Sequence, residues 1–208
     1  MRTEGSLKAI IYDGIFEDIV RGEYHAGEIL NESRMVEKFG YSRAPVREAL
    51  AALCSDGILK NLPRYGYEVL PITTGDIENM LQFRRILEGG LIERYWQNIS
   101  PEDFAELRAL AERCCRGGDS IWEHWETNTQ FHIKLCAAAG NGYALDVLQQ
   151  TMTRLKCAYG QHYFQKWDLA YPSDMHYHMD MLDALERGDV PEALRQLERD
   201  LEDFGSAS

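Results

Sequence analysis

The stretch Ser42-Arg43-Ala44-Pro45-Val46-Arg47-Glu48-Ala49-Leu50 limits what this chain can fold into more than any other. At about 100° per residue, Val46, Ala49, Leu50 and Leu53 gather on one side of a helix, with Ala44, Arg47, Glu48 and Ala51 opposite and Arg43 at the edge. One side packs, and the other is free to touch something. Ser42 is placed to cap the first turn, and Pro45 sits where a missing N–H costs nothing, so the helix starts at Arg43. Upstream, Leu7, Ile10, Ile11, Ile15 and Ile19 recur at helical spacing over Leu7 to Val20, with Gly22 just beyond. Asn31 then caps a short helix carrying Met35, Val36 and Phe39, which Gly40-Tyr41 breaks. Two short helices joined by a tight turn are what a helix-turn-helix requires, the second being the one that enters a major groove.

Downstream of Gly57, the runs Ile58-Leu59-Lys60-Asn61-Leu62 and Tyr67-Glu68-Val69-Leu70 flank the turn signal Pro63-Arg64-Tyr65-Gly66. They read as a β-hairpin wing whose tip offers Arg64, and a glycine that lets backbone approach a phosphate or groove edge. A formal net charge of −12 argues against a protein that grips nucleic acid with its whole surface. The distribution answers this. Residues 1–72 hold nine Lys/Arg against eleven Asp/Glu, so most of the acidity belongs to the remainder.

From Pro71 the character changes. Residues 73–76 read as a linker between a DNA-binding domain at 1–72 and a helical domain at 77–208, with Asp76 placed to cap the next helix. Six helical stretches follow, at Asp76 to Gln97, Pro101 to Cys115, Asp119 to Ala139, Tyr143 to Gln165, Pro172 to Arg187 and Pro191 to Phe204. The breaks include Gly140-Asn141-Gly142, Trp167 to Tyr171 and Gly188-Asp189-Val190. The expected fold is therefore mainly α, an N-terminal winged helix-turn-helix with a small β-hairpin followed by an all-α bundle. Five cysteines without C-x-x-C spacing argue against a disulfide framework or a zinc knuckle. No apolar run reaches the roughly 18 residues of a spanning helix, so the expectation is a soluble cytoplasmic protein with no membrane partner.

Gly22, Gly27, Leu30 and Glu32 precede Ser42-Arg43-x-Pro45-Val46-Arg47-Glu48-Ala49-Leu50, and Leu53, Gly57, Gly66 and Val69 follow it. Over roughly residues 7 to 70 this resembles the winged helix-turn-helix of the GntR family of bacterial transcription regulators. A Pro-Gly pair common in that family is Ala26-Gly27 here. The resemblance implies that Arg43 and Arg47 contact a double-stranded operator and that Gly66 lies near the minor groove. Guanidinium forks suit guanine O6/N7 or a phosphate pair. Ser33 stands where some relatives carry a contacting arginine, which Arg34 replaces or leaves unfilled. Ser42 joins this set, and Arg64 is either a phosphate contact or a plain turn residue.

In the helical half, Asn128, His132 and Cys136 succeed one another at four-residue steps, a ladder that can build half of a metal site. His176 and His178 point about 200° apart on a helix, so at most one faces a shared pocket. Phe131-His132 before Gly140-Asn141, the Arg84 and Glu88 pair, and His178 ahead of Ala184 and Gly188-Asp189 resemble the FCD ligand-sensing domain of the FadR subfamily. Six helices place it nearer the VanR-like branch. Many members hold a divalent metal through one aspartate and three histidines, and the metal anchors a small organic acid. By position, the resemblance gives Asn128, His132, His178 and Asp200 as the ligand set, with Asn128 where aspartate is usual and Asp200 where histidine is usual. Two imidazoles, a carboxylate and an amide oxygen suit Zn, Ni, Fe or Mn. Arg84 either clamps the carboxylate of an effector or pairs with Glu88 one turn on.

The bland alternatives are a core histidine at 132, a surface carboxylate at 200 and a metal-free cavity around Asn128. The expected function is a homodimeric, effector-responsive transcription regulator on a near-palindromic operator. The competitors are a metal-dependent enzyme acting on a small organic acid and a regulator with a vacant site. No nucleophile or general base stands beside the two histidines, which speaks against the enzyme.

Overall fold

The computed structural model describes residues 6–116, 121–163 and 176–203, without the side chains of Ile121, Tyr163 and Asp203. The chain forms two compact units. The first takes residues 1–74 with 153–166, and the second takes 75–152 with 167–208.

In the first unit, α1 (Leu7–Val20), α2 (Glu32–Phe39) and α3 (Arg43–Ser55) surround one core. Ile11, Ile15 and Ile19 of α1 and Val46, Ala49, Leu50 and Leu53 of α3 are fully or almost fully buried, the spacing that the sequence dictates. Each Ile, Val and Leu among them contributes about 1.5–3 kcal/mol of burial, which fixes α3 by its apolar side and leaves Arg43, Ala44, Arg47 and Glu48 exposed. Asn31 caps α2 by accepting from Ser33 N–H at 2.8 Å. Ser42 occupies the N-cap of α3 but makes no side-chain cap bond, contrary to expectation. An extended backbone at Ser42 starts the helix without it.

The wing is β2 (Leu59–Leu62) antiparallel to β3 (Gly66–Val69). A third strand, β1 (Ile29–Leu30), pairs with the other edge of β3 and was not anticipated, giving the order β1-β3-β2. Its two residues are too few to show an alternation.

The end of α7 (Gly142–Tyr163) belongs to this first unit from Thr153 onward. Lys156 Nζ reaches Glu17 Oε1 at 2.7 Å. Gln161 donates to Leu70 O at 2.9 Å and accepts from Ile72 N–H at 3.0 Å, filling both backbone positions as a strand would. A Cβ on Gly160 would stand 2.5 Å from Val20 O, so only glycine permits this approach.

The second unit is helical. It comprises α4 (Thr74–Tyr95) from Gly75 onward, α5 (Pro101–Arg116), α6 (Ile121–Ala138), α7 up to Met152, α8 (Tyr177–Glu186) and α9 (Val190–Asp203). A short 3-10 turn, Trp96–Asn98, follows α4. Because α4 already begins at Thr74, Asp76 lies in its first turn instead of capping it. The helix ends at Tyr95 and not at Gln97. The expected helix starts at Asp119 and Pro172, the Trp167 to Tyr171 break and the ends at Gln165 and Phe204 lie outside the described residues. His176 is the N-cap of α8, exposed, while His178 inside the helix is buried. Leu107, Ala111, Phe131, Leu182, Leu185 and Leu197 form the centre of the packed core. Arg108 of α5 clasps Asp183 and Glu186 of α8 at 2.7 and 2.6 Å. None of the five cysteines is in a disulfide. No helix among the described residues is long and apolar enough to cross a membrane.

Candidate functional site

Four helices of the second unit send charged groups into one dry place. His132 and Asn128 come from α6, His178 from the first turn of α8, Asp200 from α9, and Arg84 and Glu88 from α4. All six are at most 2% exposed. The ligand atoms of His132, His178 and Asp200 lie within 4.8 Å of one another. Asp200 Oδ2 is 3.0 Å from His132 Nε2, and Oδ1 is 3.2 Å from His178 Nε2. The two Nε2 atoms are 3.3 Å apart. Phe131 stacks on the His178 ring with centroids 3.9 Å apart and fixes its plane.

Glu88 organises the other side. Its Oε1 accepts from Arg84 Nε at 2.8 Å and its Oε2 from His132 Nδ1 at 2.6 Å. Burial pushes the Glu88 carboxyl up, but Arg84 and His132 outweigh it and hold it at about 2. The carboxylate therefore takes a proton-bearing Nδ1 from His132 and turns Nε2 toward Asp200 and His178. Burial works against the His132 imidazolium, but Glu88 and Asp200 outweigh it and hold the imidazole above its ordinary value. Burial likewise works against the Asp200 anion, and the two histidines more than compensate, keeping its carboxyl well below the usual range. For His178 burial dominates and depresses the imidazolium.

This donor set fits a cation. His132 Nε2 facing a carboxylate oxygen at 3.0 Å, with a second imidazole nitrogen beside it, calls for positive charge there, supplied either by a proton on His132 or by a metal ion that takes the proton's place. The carboxylate–His132 relay is the usual arrangement behind a metal-bound imidazole. Asn128, one turn before His132, is buried with both amide atoms lacking a hydrogen-bond partner among the described residues.

Of the two alternatives for Arg84, the structure shows the pair with Glu88. Its Nε pairs with Glu88, and its two terminal nitrogens are buried without a partner among the described residues. Cys136, the last rung of the ladder, is buried in an apolar recess with Leu91, Ile92, Trp96 and Leu135, and the recess reaches the cluster only at Glu88. Asp200, for which a surface position was the bland alternative, is fully buried. His124 was not singled out from the sequence, although it lies one turn before Asn128 on the same ladder. It is buried, and burial pushes its imidazole below its ordinary value.

On the first unit, the predicted DNA-facing residues lie on α2, on α3 with its N-cap, and in the wing turn and the start of β3. Ser42, Arg43, Arg47, Arg34 and Arg64 are exposed. Arg47 is held by Glu32 through Nε and Nη2, each at 3.1 Å. Arg34 lies 3.5 Å from Glu28 and over the Tyr24 ring. Arg64 adopts a φ of 74° at the wing tip. Gly66, at a φ of 133°, could not carry a Cβ, which would meet Leu30 O of β1 at 2.4 Å. A sheet contact that the sequence did not reveal therefore already requires this glycine.

Comparison with known proteins agrees with both halves. The model described as "Bacterial regulatory proteins, gntR family" matches residues 7–69, and that described as "FCD domain" matches residues 79–203. This chain is a gntR-family regulator with an FCD domain. The family and the relatives that follow are transcriptional regulators, not enzymes. Among relatives of the family, it is 28% identical over 141 residues to the "Uncharacterized HTH-type transcriptional regulator YdhC" of Bacillus subtilis (strain 168). That match covers 66% of this chain and 63% of the relative, so the chain spans under two thirds of the Bacillus protein. The HTH-type transcriptional repressor RspR of Escherichia coli (strain K12) is 24% identical over 201 residues, covering 95% of this chain and 86% of the other. The solved structure of E. coli McbR/YncC superposes with a TM-score of 0.74 at 20% identity, covering 96% and 95% of the two chains, a likeness of fold.

Proposed function

We propose that this gntR-family regulator works in the cytoplasm as a homodimer, reading a near-palindromic operator with the exposed side of α3. On this reading it senses a small monocarboxylic acid beside a divalent transition metal (Zn, Ni, Fe or Mn) in the helical unit. The observation that carries the proposal is the buried cluster of Arg84, Glu88, His132, His178, Asp200 and Asn128. Its charges balance only with one added positive charge, which is either a proton on His132 or a cation in its place. Arg84 against Glu88 and Asp200 leaves one negative charge when both imidazoles are neutral. A divalent cation would turn that into one positive charge, and a single carboxylate would cancel it.

The residues divide the work. His132, His178 and Asp200 would hold the ion, with the Asn128 oxygen as a weaker ligand. A bound metal would supply a Lewis-acidic anchor for the effector's carboxylate. Glu88 fixes the His132 tautomer, and the unpartnered Arg84 nitrogens offer a fork for a carboxylate oxygen pair. Arg43, Arg47, Ser42 and Arg34 would face the major groove, while Arg64 and the wing backbone at Gly66 would approach the flanking phosphates or minor groove. Effector and DNA are coupled only if the effector binds the DNA-competent and incompetent arrangements unequally.

Elemental analysis of the purified full chain, followed by thermal-shift titration with mono- and dicarboxylic acids before and after chelation, tests the sensing half. About one transition-metal ion per chain is expected, with stabilisation by a monocarboxylate that chelation or Asp200→Asn removes. Protein without metal under saturating Zn or Mn, and without any acid-dependent shift, would overturn it.

A further inference from the structure

On the exposed side of α2 and α3, one ion pair has a geometry beyond mere proximity. Glu32 gives Oε2 to Arg47 Nε and Oε1 to Arg47 Nη2, both at 3.1 Å, so the carboxylate covers one whole edge of the guanidinium. A guanidinium has two usable forks, a side fork of Nε with one terminal nitrogen and an end fork of the two terminal nitrogens. Glu32 fills the side fork. The outer half of the end fork, Nη1, has no protein partner among the described residues, and the Arg47 side chain is 64% exposed.

Glu32 is itself held. It is the first residue of α2, directly after the Asn31 cap, where the helix dipole favours a carboxylate. The hydrogen bond from Arg47 and the nearby charges of Arg47 and Arg43 keep it below the usual carboxylate range against a small effect of burial, so it is anionic at neutral pH.

We propose that Glu32 is a specificity-positioning residue: it occupies the side fork of Arg47 and commits the end fork to the O6/N7 edge of one guanine. This rests on the reading that Arg47 contacts DNA. A phosphate accepts any edge of an arginine, whereas guanine O6/N7 demands a pair of donors at fixed separation and direction. An unbraced Arg47 on its flexible stem would settle on the nearest phosphate and bind all sequences alike. The Glu32 charge adds to this, since it repels backbone phosphates and penalises placements that offer α2 no guanine partner for Arg47.

The test uses the full chain and a random-sequence duplex pool, with selection by the unaltered protein, Glu32→Ala, Glu32→Gln, Arg47→Ala and the Glu32→Ala/Arg47→Ala double variant. Anisotropy titrations against the selected duplex and a scrambled duplex follow. Glu32→Ala should lose the preference for one guanine per half-site and lower the selected-to-scrambled affinity ratio about tenfold. Much of this should come from tighter binding of the scrambled duplex. Glu32→Gln, which keeps an acceptor and the side-chain shape, should fall between. In the Arg47→Ala background, Glu32→Ala should change the ratio no further. An unchanged guanine preference in Glu32→Ala, or losses that multiply in the double variant, would overturn the proposal. If the unaltered protein selects no sequence, or Arg47→Ala selects the same one, the DNA-reading role of Arg47 fails instead.

Discussion

Arg84–Glu88 and Arg47–Glu32 join the same two residue types at nearly the same distance, 2.8 and 3.1 Å. Their surroundings are opposite. Both members of the first pair are sealed from water, whereas Arg47 in the second is mostly exposed. In a dry interior neither charge can be left behind, and Glu88 is tolerated because Arg84 and His132 each take one of its oxygens. At the surface, water replaces either partner at little cost. A short distance therefore ranks neither pair; burial decides. The buried pair holds the helical unit together and sets the His132 tautomer, while the exposed pair adds little to stability and leaves the outer edge of Arg47 open.

Truncating the two glutamates is the sharpest attack on this contrast. Glu88→Ala strands a guanidinium and an imidazole N–H in the interior and should cost about 3–5 kcal/mol in urea unfolding followed by helical circular dichroism. Glu32→Ala in the same assay should leave the curve where it is. Equal losses would mean that the buried pair is reached by water. A large loss at Glu32 alone would mean that α2 depends on α3 through this contact.

The same difference explains how far the sequence could be read. The two sides of α3, the Ile11, Ile15 and Ile19 row and the Asn31 cap follow from neighbours within one or two turns, and the structure repeats them. The step from Asn128 to His132 was equally local. Glu88 meeting His132 spans 44 positions, and no periodicity marks it. Its four-residue step to Arg84 suggested only the ion pair. His178 and Asp200 entered through resemblance, because their meeting with His132 depends on how α6, α8 and α9 pack. The 15-residue reach from Glu32 to Arg47 crosses the turn of the helix-turn-helix and depends on its angle. The two residues of β1 gave no pattern, and with them the reason for Gly66 was lost.

Gly66→Ala comes next in size. The reading of this glycine as a place where DNA approaches predicts weaker DNA binding at unchanged stability. The Leu30 carbonyl, 2.4 Å from the position of the missing Cβ, and a φ of 133° predict a loss of about 2 kcal/mol, because backbone must move and the β1–β3 pairing with it. Hydrogen exchange at the Tyr67 and Val69 amides separates the two, since faster exchange in free protein requires the sheet account.

The smallest effect is expected at the other end of the wing turn, at Arg64. Its φ of 74° is a conformation that most side chains avoid and asparagine tolerates, so Arg64→Asn should hold or slightly raise the unfolding temperature. An arginine kept there against its backbone preference needs a return, and the exposed wing tip leaves phosphate contact as the candidate. Losing one phosphate contact should flatten the dependence of log K on log salt by about 0.9 per chain on the selected duplex. It should do so equally on a scrambled duplex, because phosphates carry no sequence. A slope unchanged on both would make Arg64 a turn residue and nothing more, and would confine the charged DNA contacts of this surface to α2 and α3.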